Sequence, residues 1–234
     1  MIGFTYREKH SREFEGLVVK TDNNQLISSK RFERISVPGR NGQYIFEDGY
    51  NNKILEFDCS LIKGTIQSRR QRAREIAYWL SGTGDLVLDG ESDKAYRVVR
   101  TVSDIDLSLN QVVENFKVVF ETEPFQLGTF KSISVDNPTN VTLTNSGTKE
   151  AETVMSITGT GDVSLILDDK IVNLTGLTEK ITLDSKRYLV YNDLKENKLD
   201  LHSGDFIKIP VGNSSLEVTG LVSNILTEYY DTYI

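Results

Sequence analysis

Apolar residues in this chain recur at every second position in segment after segment, and one stretch breaks the rhythm. In Ile54–Ile62 the residues Leu55, Phe57, Cys59 and Leu61 share one face, opposite Ile54, Glu56, Asp58 and Ser60. Asp85–Leu88, Ala95–Val102 and Asn115–Thr122 alternate the same way, with Phe116, Val118 and Phe120 aligned in the last. A period of two belongs to half-buried strands, so the chain reads as all-β. The exception is Ser68–Leu80, where Ala73, Ile76, Ala77 and Leu80 follow helical spacing. This predicts one flanking α-helix over about 68–81, with Ser68 as its N-cap and Gln71 as a partial capping box. Gly82 and Gly84 would end it.

A length of 234 residues suits two modest domains or one large β domain. The turn Val37-Pro38-Gly39-Arg40-Asn41-Gly42 is well specified, because proline fixes φ and glycine accepts positive φ. Glu123-Pro124-Phe125 closes the first set of strands, since proline cannot continue a central strand. The Asn-, Thr- and Ser-rich stretch Ser132–Thr148 then reads as a linker, giving domains 1–133 and 134–234. In the second domain, seven short strands are separated by Gly, Asp and Asn signals: Thr153–Thr158, Val163–Leu167, Lys170–Leu174, Lys180–Leu183, Tyr188–Tyr191, Phe206–Ile209 and Ser215–Thr219. That spacing predicts a β-sandwich, with Asp168-Asp169 as a hairpin turn.

Charge divides along the same boundary. Residues 1–133 hold 19 Lys and Arg against 19 Asp and Glu, whereas 134–234 hold 8 against 15 and supply the whole net charge of −7. Eleven of the twelve arginines lie in the first part. An acidic chain of this kind lacks the basic stripe of a nucleic-acid binder. No apolar run reaches the ~20 residues of a membrane span, and the polar Met1–Ser11 is unlike a secretory signal.

Each catalytic pattern fails in turn. Cys59 is the single cysteine, which rules out an internal disulfide, and it lies in register with the core face of its strand. His10 and His202 have no partner motif and read as exposed loop residues. Asp200–Asp205 lacks calcium-loop spacing, and no phosphate loop, zinc-hydrolase pair or serine elbow occurs. Expected catalytic, metal and cofactor sites are therefore none. Paired carboxylates, as a polysaccharide-degrading enzyme would need, can be chosen anywhere among 34 acidic residues and carry no information. The alternative to a structural protein is a carbohydrate-binding β-sandwich, with Tyr188, Tyr191, Tyr229, Tyr230 or Tyr233 as stacking rings, although tyrosines on sheets commonly serve packing. Arg69, Arg70, Arg72 and Arg74 crowd the helix start, where cations oppose the helix dipole. They form either a solvated face or, with Arg40 on the turn, a contact with acidic groups of a neighbouring subunit.

Phe14-Glu15-Gly16, Val37–Gly42, the helix ending in Trp79-Leu80 and Glu123-Pro124-Phe125 resemble, in that order, the distal tail protein family of siphophages. Downstream, Ser146-Gly147-Thr148, Gly159-Thr160-Gly161, Leu183-Asp184-Ser185, Gly204-Asp205-Phe206 and Pro210-Val211-Gly212-Asn213 extend the resemblance over most of the chain. It implies an N-terminal β-sandwich that assembles into a homo-hexameric ring, followed by a galectin-like sandwich. It also implies a non-enzymatic hub at the virion tail tip, assembled in the host cytoplasm. Such a hub joins the tail tube protein to the tail-associated fibre or lysin protein, and DNA passes through its channel without specific binding. Relatives with large baseplates grip receptor-binding proteins through a long arm. No insertion of that size lies between Asp136 and Gly220, which predicts the compact kind. Galectin-type sugar ligands are missing from the second domain, so galectin-like describes shape alone.

Overall fold

The computed structural model describes residues 2–24, 27–62, 64–102 and 114–234. The described residues form an all-β fold with one α-helix, and the chain divides into two compact units, Met1–Gln126 with Ile234, and Leu127–Tyr233. The division falls inside a strand, Glu114–Asp136, several residues before the boundary expected at 133/134.

In the first unit, β1 (Phe4–Tyr6) pairs with β2 (Lys9–His10) and with β7 (Gly84–Leu88), which pairs with β8 (Ala95–Thr101). β3 (Leu17–Asn24) pairs with β6 (Lys53–Leu61), and β6 pairs with β9 (Glu114–Asp136) through Lys53–Leu61 against Glu114–Thr122. All these ladders are antiparallel. Alternation works here as the sequence requires: Leu55, Phe57, Cys59 and Leu61 are at most 1% exposed. The core is aromatic. The Phe4 ring stacks on Trp79 at 5.5 Å and lies 4.6 Å from Phe57, while Trp79 donates its indole N–H to the Tyr6 carbonyl at 2.8 Å.

Helix α1 (Ile66–Leu80) begins two residues before Ser68. Its N-cap is Thr65, whose hydroxyl accepts from the Ser68 amide at 3.3 Å, so Ser68 lies within the first turn and does not cap it. The buried stripe is Arg69, Ala73, Ile76, Trp79 and Leu80. Ala77 faces solvent, contrary to the sequence pattern, because Trp79 rather than Ala77 fills the space beside Phe4 and Phe14.

Two further strands, β4 (Lys30–Ile35) and β5 (Tyr44–Tyr50), form a separate two-stranded sheet that the sequence pattern did not indicate. They flank the Pro38-Gly39 turn, which closes with the Arg40 amide on the Val37 carbonyl at 3.1 Å. Gly39 has φ +80, the value a type II turn demands of its third residue.

The second unit comprises the end of β9 with β10 (Asn140–Asn145), β11 (Ala151–Leu167), β12 (Lys170–Leu177), β13 (Ile181–Asp184), β14 (Leu189–Asn192), β15 (His202–Gly204), β16 (Lys208–Ile209) and β17 (Gly212–Tyr233). Two segments expected as separate strands, Thr153–Thr158 and Val163–Leu167, are one strand. Their glycine signals mark shifts of register at Thr158/Gly159 and Thr160/Ser164 in the pairing with β17. A Cβ on Gly159 would lie 2.5 Å from the Leu221 carbonyl oxygen, so the two strands approach there because no side chain intervenes. The expected linker Ser132–Thr148 holds strand β10, whose Val141 and Leu143 are buried within a Thr- and Asn-rich alternation. Asp168-Asp169 is a two-residue hairpin turn with Asp168 at φ +55. The C-terminal tyrosine segment belongs to β17, and Tyr229 is 2% exposed in the core.

Candidate functional site

The features that set the first unit apart from an ordinary soluble domain lie on the β4–β5 hairpin and on α1. Register pairs Phe32 with Glu47, Glu33 with Phe46, Arg34 with Ile45 and Ile35 with Tyr44. Phe32 and Ile45 therefore share one face of the ribbon, and Ile35, Tyr44 and Phe46 share the other. Every one of these is exposed, from 43% for Ile35 to 60% for Ile45. A two-stranded ribbon is marginal in water by itself. This one carries apolar side chains on both faces and buries neither. At its turn, the Arg40 guanidinium lies 3.8 Å from the Tyr44 ring centroid, a cation–π contact that holds the charge at the tip.

The four helix arginines part company. Arg69 points inward and is 6% exposed. Arg72 donates to Glu15 at 2.6 Å within the same unit. Arg70 and Arg74 face solvent. With Ile66, half exposed, and Tyr78, 78% exposed, they form an i, i+4 row along the outside of α1. Of the five arginines predicted to contact a neighbouring subunit, Arg40, Arg70 and Arg74 present outward surfaces; Arg69 and Arg72 are engaged in their own fold. Helical spacing could have sorted them, since Arg69 falls on the stripe of Ala73, Ile76 and Leu80. The hairpin was missed because Tyr44-Ile45-Phe46 is a run of apolar residues without alternation, so no core face could be read from it.

The titratable groups serve structure. His10 is no loose loop residue: it caps the short 3₁₀ turn Ser11–Glu13, and its Nδ1 accepts from the Arg12 amide at 3.0 Å. The proton is thereby fixed on Nε2, which donates to Asp89 at 2.9 Å. The His202 Nε2–H donates to the Asp205 carbonyl at 3.0 Å. Burial, with the Asp58 charge adding to it, pushes the Cys59 thiol up to about 12. Lys53 is fully buried, and burial lowers its pKa while Glu91 opposes the shift. Its ammonium lies 5.1 Å from the Tyr96 ring centroid. Among the described residues no group of three His, Cys, Asp or Glu side chains could hold a metal ion. Among the described residues no helix is long and apolar enough to cross a membrane.

Residues 11–122 match the family described as the phage tail protein RIFT-related domain. The whole fold is similar to a crystal structure of the Dit protein of phage SPP1, described as a paradigm of the hub adsorption apparatus in phages that infect Gram-positive bacteria. The two chains share 13% identity, each is covered over 100% of its length, and the TM-score is 0.74. A chain of the phage P2 baseplate, in its activated conformation with calcium, matches over 98% of each chain at 8% identity and a TM-score of 0.46. No curated protein sequence matches.

Proposed function

We propose that this chain, whose residues 11–122 belong to the phage tail RIFT-related domain family and which has the distal tail protein fold throughout, is a structural hub of a siphophage tail tip. Six copies form a ring, the ring joins the tail tube protein to the tail-associated fibre or lysin protein, and DNA leaves through its centre. The chain has no enzymatic role, and its second unit carries no long arm of the kind that grips receptor-binding proteins in large baseplates. It is assembled in the host cytoplasm and resides in the virion tail.

One observation carries the assembly: the β4–β5 ribbon exposes Phe32, Ile35, Tyr44, Ile45 and Phe46 on two opposite faces. Exposed apolar surface rimmed by charge marks a protein interface. A ribbon apolar on both faces needs a cover on each side. Head-to-tail contacts between identical copies provide that cover, and rotational closure keeps such contacts from growing into fibres. Arg40 at the ribbon tip then meets a carboxylate of the next subunit, the pairing for which a guanidinium fork is suited.

Native mass spectrometry and negative-stain imaging of the purified protein test the ring. Wild type should give six-fold rings, or stacked pairs of them, with a mass that is a multiple of the 26.4 kDa chain. Arg40→Glu should weaken the ring, and an unchanged hexamer mass removes that contact from the scheme. A stable monomer at every concentration would falsify the hub assignment. Turnover of cell-wall or capsule polysaccharide by the purified chain would overturn its non-enzymatic character.

A further inference from the structure

The second unit carries an exposed aromatic residue in a conformation that aromatic residues avoid. Tyr188 has φ +55, the left-handed region favoured by Gly and Asn, and it is 58% exposed. Its place is set from below. The turn between β13 and β14 is held by the buried carboxylate of Asp184, which accepts from the Lys186 and Arg187 amides at 3.1 and 3.0 Å. Ser185, 1% exposed, accepts from the Thr153 amide at 2.7 Å. Glycine in place of Tyr188 would relieve the backbone, so the ring is kept outward at a cost in stability. Strain of this kind is a pointer to function.

The ring does not stand alone. Phe206 meets Tyr188 edge-on at 5.3 Å, and His202 lies against Phe206 at 4.6 Å with an interplanar angle of 32°. The Lys208 ammonium is 5.7 Å from the Tyr188 ring centroid and 3.4 Å from the Glu152 carboxylate. Aromatic faces therefore stand beside a paired donor and acceptor.

We propose that Tyr188, Phe206 and His202, with Lys208 and Glu152 at their edge, form a carbohydrate-binding platform. The apolar C–H face of a pyranose matches a ring of Tyr188's size, and the ion pair offers a charged donor and a charged acceptor to neighbouring hydroxyls. One well-exposed ring with a polar rim is too small an apolar area for a stable protein interface, which needs roughly 800 Å² from each partner, but it fits one or two sugar units. The preset turn limits the ordering needed on binding. The site adds a ligand class, host-surface glycan, to the adsorption role, and it does not require the ring.

The full-length protein should be applied to an array of oligosaccharides containing neutral hexoses, N-acetylhexosamines and uronic acids, and any hit titrated in solution. Retention of at least one class is expected. Tyr188→Gly, which suits the turn, should weaken that binding by about tenfold or more, as loss of a central aromatic anchor does. Lys208→Met should weaken it as well, while Tyr188→Phe should keep most of it. Tyr191→Ala, whose ring is engaged by Lys195 at 4.2 Å, serves as the control and should bind like wild type. The platform is excluded if no glycan is retained, or if Tyr188→Gly binds as tightly as wild type. The native mass of each variant is read in parallel, so loss of sugar binding with an intact ring is distinguished from failure of the assembly.

Discussion

Two hairpins of this protein show how little alternation decides without a surface to pack on. In β11–β12 of the second unit, Val163, Leu165 and Leu167 on one strand and Val172 and Leu174 on the other are at most 2% exposed, while Ile171 between them is 45% exposed. One face meets a core and the other meets water, as expected of an antiparallel pair. In β4–β5 of the first unit, the register is equally regular, yet both faces carry large apolar side chains and both are exposed. Burial is set by what lies across from a strand, and among the described residues nothing comparable lies across from β4–β5. The first hairpin is covered within one molecule; the second stands uncovered among the described residues.

The largest effect that would sharpen this contrast lies in the complete hairpin. Leu165→Ala removes a fully buried side chain next to Val163 and Leu167 and should destabilise the second unit by about 2–5 kcal/mol. Urea unfolding followed by circular dichroism measures it; a loss near zero would mean that this face is no tighter than the exposed ribbon. Thr65→Ala comes next. The hydroxyl that accepts from the Ser68 amide is lost, and stability should fall by about 1 kcal/mol. Ser68→Ala, at the position sequence alone selected, should cost less than Thr65→Ala. The reverse order would return the cap to Ser68.

Cys59 compares a core-facing strand position with a ribbon position by chemistry. Its thiol is 1% exposed, and burial raises its pKa from an ordinary 9.0 to about 12. The unfolded chain ionises above pH 9 while the folded chain keeps its proton, so unfolding releases a proton in that range. The stability contributed by the neutral buried thiol is present below pH 9 and is lost as pH rises towards 12. Cys59 should therefore resist a thiol reagent at pH 8 until the protein unfolds. A Phe46→Cys variant, at a position 52% exposed, should react at once in the monomer. Equal rates at the two positions would erase the distinction between core and ribbon.

Most of the β architecture was legible because alternation names both the strand and its buried face, as Leu55, Phe57, Cys59 and Leu61 show. Helix α1 was legible for a similar reason, but its cap and one stripe residue were not. Ser68 and Thr65 are equivalent as cap residues in sequence, and Ala77 is too small for its burial to be decided by spacing. The glycines at 159 and 161 read as a break, and the structure makes them a shift of register inside one strand. The surfaces were harder. Arg40, Arg70 and Arg74 stand outward, but the apolar residues of β4 and β5 gave no signal, because a ribbon that buries neither face has no period to read. Tyr188 was visible as an aromatic in a strand, whereas its positive φ depends on the Asp184 turn that only the fold reveals.

The smallest expected change in stability is the most informative one. Phe46→Ser removes a large apolar side chain that packs against no core of its own unit, so the monomer should keep its unfolding free energy within ~0.5 kcal/mol. Its partner across the ribbon, Glu33, is itself exposed, and the substitution leaves no buried polar group unsatisfied. The same change should shift the native mass from ring towards monomer, because the apolar cover is what the ribbon offers a neighbour. Ile45→Ser, on the opposite face, should do likewise. If both faces are covered in the ring, either substitution alone suffices, and the double variant adds little once the ring is lost. A ring that survives Ile45→Ser but not Phe46→Ser would leave one face of the ribbon to a different partner at the tail tip. A monomer that unfolds with either substitution would instead place the hairpin among the elements that hold its own domain together, and the contrast with β11–β12 would fail.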